Sequence, residues 1–238
     1  MPDEPSDPRT TGAPSGGTEG PPPVPRVRDM PQPRENESVS GPLVGRVFRW
    51  PYRAILAGLL RIGVRPWHLT VASVVFSIGA GWSIIAGAWV VGGVLVLFSG
   101  LCDVFDGSVA RYRGEQRRSG AFLDSVLDRV SDMVLFGSLF WALSGDGETL
   151  QAALALATLV ISVLVSHLRA EAEAAGVQLT EGVFQRLERV LALLVGLWVP
   201  GAMLPVLVVL TALGGLTVLQ RLWSALTRLG SPRTETPR

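Results

Sequence analysis

The 238-residue sequence contains no lysine, a single cysteine, Cys102, and only two histidines, His68 and His167. One thiol excludes an intrachain disulfide framework and any zinc centre built on cysteines. All 21 basic residues are arginine, which we read as a GC-rich coding bias rather than a chemical requirement. Charge is also scarce: Asp, Glu, Lys and Arg together make up 17% of the chain, and the formal net charge is +1. Apolar residues fill the space instead. Hydrophobic residues reach 48% and mean hydropathy is +0.37, beyond the usual range of a soluble domain, so composition points to an integral membrane protein.

These properties are unevenly distributed. Residues 1–40 hold ten of the 17 prolines, seven acids and four arginines, and almost no large apolar side chains. Such a stretch cannot bury enough apolar surface to offset the entropy of ordering, so we expect a disordered cytoplasmic tail. It also lacks the apolar run of a signal peptide. The remaining residues carry 17 arginines against 13 acids, a modest net charge of +4, and no nucleic-acid partner is expected. A short polar tail is expected at 231–238.

From Gly41 to Val64, apolar residues recur at three- and four-residue spacing, among them Leu43, Val47, Tyr52, Ile55, Leu56, Leu59 and Leu60. Arg46, Arg49, Arg53 and Arg61 lie between them, which predicts an amphipathic helix at a membrane surface, with Pro51 as a candidate kink. Six apolar segments follow, near 67–87, 88–111, 120–143, 149–168, 183–200 and 205–227. Each approaches the ~20 residues that cross a bilayer. The expected fold is therefore all-α, with six transmembrane helices preceded by an interfacial one.

Arginine placement supplies an independent reading of topology. Arg46 to Arg65 precede the first span, Arg111 to Arg118 separate the second and third, Arg169 to Arg189 separate the fourth and fifth, and Arg221 to Arg238 close the chain. With six spans all of these lie on one side, and the loop near Ser144 on the other side carries Asp146 and Glu148 instead. By the positive-inside rule, the basic side and both termini are cytoplasmic, as expected for a multi-pass protein of the cell membrane. Trp50, Trp67 and Trp223 stand near span ends, as interfacial anchors do.

Carboxylates inside spans cost ~2.5–3.5 kcal/mol each at a helix centre and usually serve function. Here Asp103 and Asp106 lie in the second span, and Asp124, Asp128 and Asp132 in the third. Spacings of three and four put each set on one helical face. Asp103 precedes Arg113 by ten residues and Asp128 follows Ser119 by nine, so both lie ~14–15 Å from the connecting loop at 1.5 Å per residue. The two faces can meet at one depth. Crowded carboxylates need neutralisation, from Arg111, from Arg129 or from bound metal. Oxygen ligands with no adjacent His or Cys favour Mg²⁺ or Mn²⁺, and four negative charges suit two ions able to clamp a pyrophosphate. Gly107 and Ala110 leave room beside Asp103 and Asp106 for a bulky ligand, and Arg111 can pair with a phosphate. An alternative reading of the acids as interhelical salt bridges lacks enough buried bases.

Asp103, Asp106, Gly107, Ala110, Arg111, Gly120, Asp124 and Asp128 stand in the order D-x-x-D-G-x-x-A-R-x8-G-x3-D-x3-D. This pattern resembles the signature of the CDP-alcohol phosphotransferases at every fixed position and gap. The resemblance covers about residues 41–230 and implies six spans behind an interfacial helix, and commonly a homodimer. It also implies metal ligation by Asp103, Asp106 and Asp124, with Asp128 near the metals and acting as general base on the acceptor hydroxyl. Asp103, Gly107, Ala110, Arg111 and Gly120 are expected to bind the CDP-lipid, CDP-diacylglycerol. Asp132 lies outside the signature, and two readings stay open: a site carboxylate or a structural partner of an arginine.

The stretch from Ser166 to Gly176, then Arg186 to Arg189, then Gln220 to Leu222, resembles the phosphatidylinositol phosphate synthases of actinobacteria. That resemblance implies that Arg169, Arg189 and Arg221 hold the phosphate of a small phosphorylated alcohol, inositol phosphate. Glu171 stands where the subfamily has a second basic residue and Leu187 where it has proline. Glycerol 3-phosphate, serine and inositol are the alternative acceptors; an intramembrane prenyltransferase and a non-catalytic membrane scaffold are the alternative classes. His68 and His167 match no signature position and are expected to play polar-edge roles, and Cys102 to be a small packing residue.

Overall fold

The computed structural model describes residues 41–114, 118–177 and 186–230, so the expected tails at 1–40 and 231–238 lie outside the described residues. Seven helices and no strand occur among the described residues: α1 (Gly41–Ile62), α2 (Pro66–Ile85), α3 (Trp89–Arg113), α4 (Arg118–Gly145), α5 (Thr149–Ala174), α6 (Arg186–Trp198) and α7 (Met203–Gly230). Pro51 stands inside α1 without splitting it into two elements. Pro66 opens α2 at a position where its missing N–H is not needed, and the His68 Nδ1 accepts a hydrogen bond from the Arg65 backbone N–H at 3.3 Å. A polar-edge role is what His68 performs there. Gly114, at φ 65°, closes α3 directly after its arginines in a conformation that glycine adopts without Cβ strain.

Four helices are long and apolar enough to cross a bilayer: Pro66–Ile85, Trp89–Arg113, Thr149–Ala174 and Met203–Leu229. The chain is a multi-pass membrane protein on that basis. Two of the six expected spans fall short of the same measure for identifiable reasons. In α4 the charges of Asp124, Asp128, Arg129 and Asp132 lower the hydropathy of its first half. In α6 only 13 residues are described, ~20 Å of helix.

α2 packs on α3 and α4, α5 on α4 and α7, α6 on α3 and α7, and α1 on α3. The larger core joins Ile84 of α2, Val96 of α3, Leu139 of α4, Ala155 of α5, Leu193 of α6 and Leu207 of α7. A second, smaller core seats α1: Leu56, Ala57 and Leu60 pack with Leu69, Phe105 and Val109, and the Tyr52 ring stacks on Phe105 with centroids 5.3 Å apart. Cys102 lies against this second cluster, in the packing role expected of it. Along α3 the larger core is met at Val96 and the smaller one from Leu101 to Val109, so Asp103 and Asp106 stand in the stretch that packs on the smaller core.

Helices approach closely where glycine permits it. A Cβ at Gly93 of α3 would fall on the Trp198 indole Nε1 and 2.8 Å from its Cδ1. The same indole Nε1–H donates to the Val90 carbonyl at 3.2 Å, fixing the end of α6 against α3. Trp50, Trp67 and Trp223 are all exposed, consistent with anchoring at an interface.

Candidate functional site

The carboxylates of α3 and α4 converge. Ligand oxygens of Asp103, Asp106 and Asp124 all lie within 4.8 Å of one another, and Asp106 is 7% exposed. α3 supplies the first two one turn apart, and α4 supplies the third across the interhelical gap. Asp128, one turn after Asp124 on α4, stands outside this group of three. Three hard oxygen donors so close together, with no His or Cys among them, form a set suited to a divalent cation. Their mutual repulsion in a partly desolvated site is what such a cation relieves.

One partner of the cluster comes from outside the signature. The Thr70 hydroxyl of α2 lies 2.7 Å from Asp106 Oδ2 and 3.2 Å from its own Pro66 carbonyl, so its proton is aimed chiefly at the carboxylate. Sequence reasoning missed it. A threonine in a span ordinarily bonds the carbonyl four residues back, and nothing in the sequence separates that habit from a bond to a neighbouring helix.

The Arg111 guanidinium is organised by a hydroxyl relay. Its Nη2 donates to Ser108 Oγ at 2.9 Å, Ser108 Oγ also accepts from Tyr52 Oη at 2.8 Å, and its own proton goes to the Val104 carbonyl at 2.8 Å. Gly107 gives this arginine space, since a Cβ there would meet Arg111 Nη1 at 3.3 Å. The room predicted beside Gly107 is therefore partly taken by Arg111. Ala110 is half-buried on the same helix, while nothing approaches the position of a Cβ at Gly120 within 4 Å. Arg129, the other cation considered for the acids, turns back on its own helix: its Nη1 donates to the backbone O and the Oγ of Ser125, each at 2.6 Å.

The three arginines expected at the acceptor side part company. Arg189 Nη2 lies 3.2 Å from Asp132 Oδ2, and Nη1 donates to Ser162 Oγ, whose own proton goes to the same Asp132 oxygen. Asp132 is thus an arginine's partner, one of the two readings its position left open. Arg221 of α7 is 9% exposed and donates from Nη1 to the Val165 carbonyl at 2.8 Å. Ser162 and Val165 are three residues apart, so Arg189 and Arg221 contact one turn of α5. Arg169 stands one turn further on, exposed, with its Nε 2.8 Å from Glu173 Oε1. His167 is also exposed, 3.9 Å from Glu171, in keeping with a polar-edge role.

Known proteins supply the comparison. The phosphatidylinositol phosphate synthase of Mycobacterium marinum is 37% identical over 141 residues, 58% of this chain and 60% of that protein. The archaetidylinositol phosphate synthase of Methanothermobacter thermautotrophicus is 34% identical over 169 residues, 68% of this chain and 83% of that protein. The fold is similar to the crystal structure of Mycobacterium tuberculosis phosphatidylinositol phosphate synthase with CDP-DAG bound, at a TM-score of 0.67 and 30% identity, covering 78% of this chain and 96% of the other. The same enzyme in complex with manganese and citrate gives a TM-score of 0.66. The sequence model of CDP-alcohol phosphatidyltransferases matches residues 64–226, a stretch containing all of the clustered aspartates, and the chain belongs to this family of enzymes.

Proposed function

We propose that this enzyme transfers the phosphatidyl group of CDP-diacylglycerol to inositol phosphate, releasing CMP and forming phosphatidylinositol phosphate in phospholipid biosynthesis. The observation that carries the reading is the convergence of Asp103, Asp106 and Asp124 in the family's spacing, beside an arginine, Arg111, held ready for a phosphate. The acceptor is argued from the relatives named for inositol phosphate chemistry and from two largely buried arginines, Arg189 of α6 and Arg221 of α7, that meet one turn of α5. A phosphorylated acceptor brings a dianion, which needs such cations as it leaves water.

In this reading Asp103, Asp106 and Asp124 hold two divalent ions, Mg²⁺ or Mn²⁺, with Asp128 beside them. Bound there, the ions supply charge stabilisation to the pyrophosphate and to CMP as it departs. Asp103, Gly107, Ala110, Arg111 and Gly120 line the CDP part of the site. Asp128 accepts the proton of the acceptor hydroxyl while that oxygen bonds to the lipid-bearing phosphorus and the phosphorus–oxygen bond to CMP breaks. Arg189 and Arg221 orient the acceptor through its phosphate, and Arg169 adds charge at the rim. Six spans cross the cell membrane, with α4 and α6 joining the four apolar helices. α1 lies at the cytoplasmic surface, and the site and both termini face the cytoplasm. The membrane domain comprises residues 41–230, flanked by the two polar tails, and acts as a homodimer.

The test is CMP release by the purified full-length chain given CDP-diacylglycerol and Mg²⁺ with inositol phosphate, glycerol 3-phosphate, serine and inositol in separate reactions. Inositol phosphate is expected to support turnover and the other three to give background. Turnover with glycerol 3-phosphate and none with inositol phosphate would transfer the assignment to phosphatidylglycerophosphate synthesis.

A further inference from the structure

Asp132, Ser162 and Arg189 come from three different helices, α4, α5 and α6, and close a hydrogen-bonded ring. One oxygen, Asp132 Oδ2, takes both Arg189 Nη2 at 3.2 Å and the Ser162 hydroxyl, and Ser162 Oγ in turn receives Arg189 Nη1. The side chains of Arg189 and Asp132 are 18% and 14% exposed, so the ring is sheltered from water. It lies one helical turn, ~6 Å along α4, from Asp128.

A long arginine in a membrane helix ordinarily extends its head toward the aqueous interface. The Asp132 carboxylate opposes that by supplying a counter-charge inside the helix bundle, and Ser162 fixes the plane of the guanidinium by bonding its second arm. A purely structural salt bridge accounts for the contact between α4 and α6 but leaves one observation over. Arg189 Nε is buried and has no hydrogen-bond partner among the described residues, although buried donors are nearly always satisfied. The ring occupies the Nη edge of the guanidinium and leaves Nε, covered by protein, as a donor without a partner among the described residues. Arg221 reaches the same turn of α5, three residues on, at the Val165 carbonyl.

We propose that Asp132 is a positioning residue for the acceptor: with Ser162 it holds Arg189 at the depth of the acidic site, oriented to receive the acceptor's phosphate. This rests on the reading of Arg189 as a phosphate contact. A carboxylate beside a phosphate-binding arginine also works against binding by its charge, so the two effects have opposite signs. The burial of the ring decides for positioning, because an unpaired guanidinium would leave that depth.

The experiment measures CMP release by the full-length chain in mixed micelles containing CDP-diacylglycerol and Mg²⁺, with inositol phosphate varied and then CDP-diacylglycerol varied. Asp132→Asn is expected to raise the KM for inositol phosphate about tenfold, with the KM for CDP-diacylglycerol unchanged; Ser162→Ala raises the former about threefold. In an Arg189→Ala background neither change has a further effect, since both act through that arginine. Asp132→Asn that lowers the acceptor KM, that raises both KM values equally, or that adds its full effect to Arg189→Ala overturns the positioning role. If Asp132→Asn does not accumulate as folded protein, the Ser162→Ala cycle with Arg189→Ala decides by the same criteria. Arg189→Ala with an unchanged acceptor KM overturns the phosphate reading of Arg189 and this inference with it. A large effect of Arg189→Ala beside a silent Asp132→Asn and Ser162→Ala overturns the inference alone.

Discussion

Thr70 shows how much a single hydroxyl can matter inside a membrane protein. Its 2.7 Å bond to Asp106 Oδ2 is charge-assisted, a class that contributes about 1.5–3 kcal/mol. Partners that orient metal-binding carboxylates typically change metal affinity about 10–100-fold when lost. We therefore expect Thr70→Val to raise the Mg²⁺ concentration for half-maximal turnover by about that factor, and Thr70→Ser to restore it. An unchanged Mg²⁺ requirement in a folded Thr70→Val variant removes Thr70 from the site. The aspartates themselves make a sharper prediction: chelation by EDTA abolishes CMP release, and Mg²⁺ or Mn²⁺ restores it. Recovery with Zn²⁺ alone contradicts an all-oxygen ligand set. Cys102 and the two histidines have no part in either outcome.

At the scale of helices, Ser108 links α1 to the site. Tyr52 stacks on Phe105 and donates to Ser108, and Ser108 accepts Arg111 on the same oxygen. The seating of α1 and the aim of Arg111 are therefore linked. Tyr52→Phe keeps the stacking and removes one hydrogen bond, about 1 kcal/mol. The KM for CDP-diacylglycerol is expected to rise severalfold while that for the acceptor stays put, and equal changes in both would deny the link. The α3–α6 contact depends instead on the absence of a side chain. Gly93→Ala drives a methyl into the Trp198 indole, a rigid ring, and overpacking of this kind costs about 1–3 kcal/mol. A lower melting temperature in detergent with little change in either KM is the expected result. Amphipathic and apolar periodicity outlined the seven helices to within about three residues at each end, except that α5 runs six residues past its expected end at 168, because the period of burial along a helix is written in the chain itself. Periodicity says nothing of which two helices touch at Gly93 or at Ser108.

For the whole molecule the arginine asymmetry predicts one orientation. With Cys102 replaced by alanine, Asp146→Cys in the loop between α4 and α5 should react in intact cells with a membrane-impermeant thiol reagent. Glu173→Cys should react only after permeabilisation. The opposite pattern inverts the topology and puts the acidic site outside.

The sequence by itself determined the helical membrane class and the acidic site, since apolar runs and intramembrane carboxylates are local, costly features that survive only with a purpose. Asp103, Asp106 and Asp124 were legible because spacing along one helix sets their face and distance from a shared loop sets their depth. Partner choice was decided by the tertiary structure alone. The pairing of Asp132 with Arg189 and of Thr70 with Asp106 depends on how each helix is rotated and how closely it meets its neighbour. Those quantities are fixed by packing around Gly93 and the two cores, and no residue's own position in the chain encodes them.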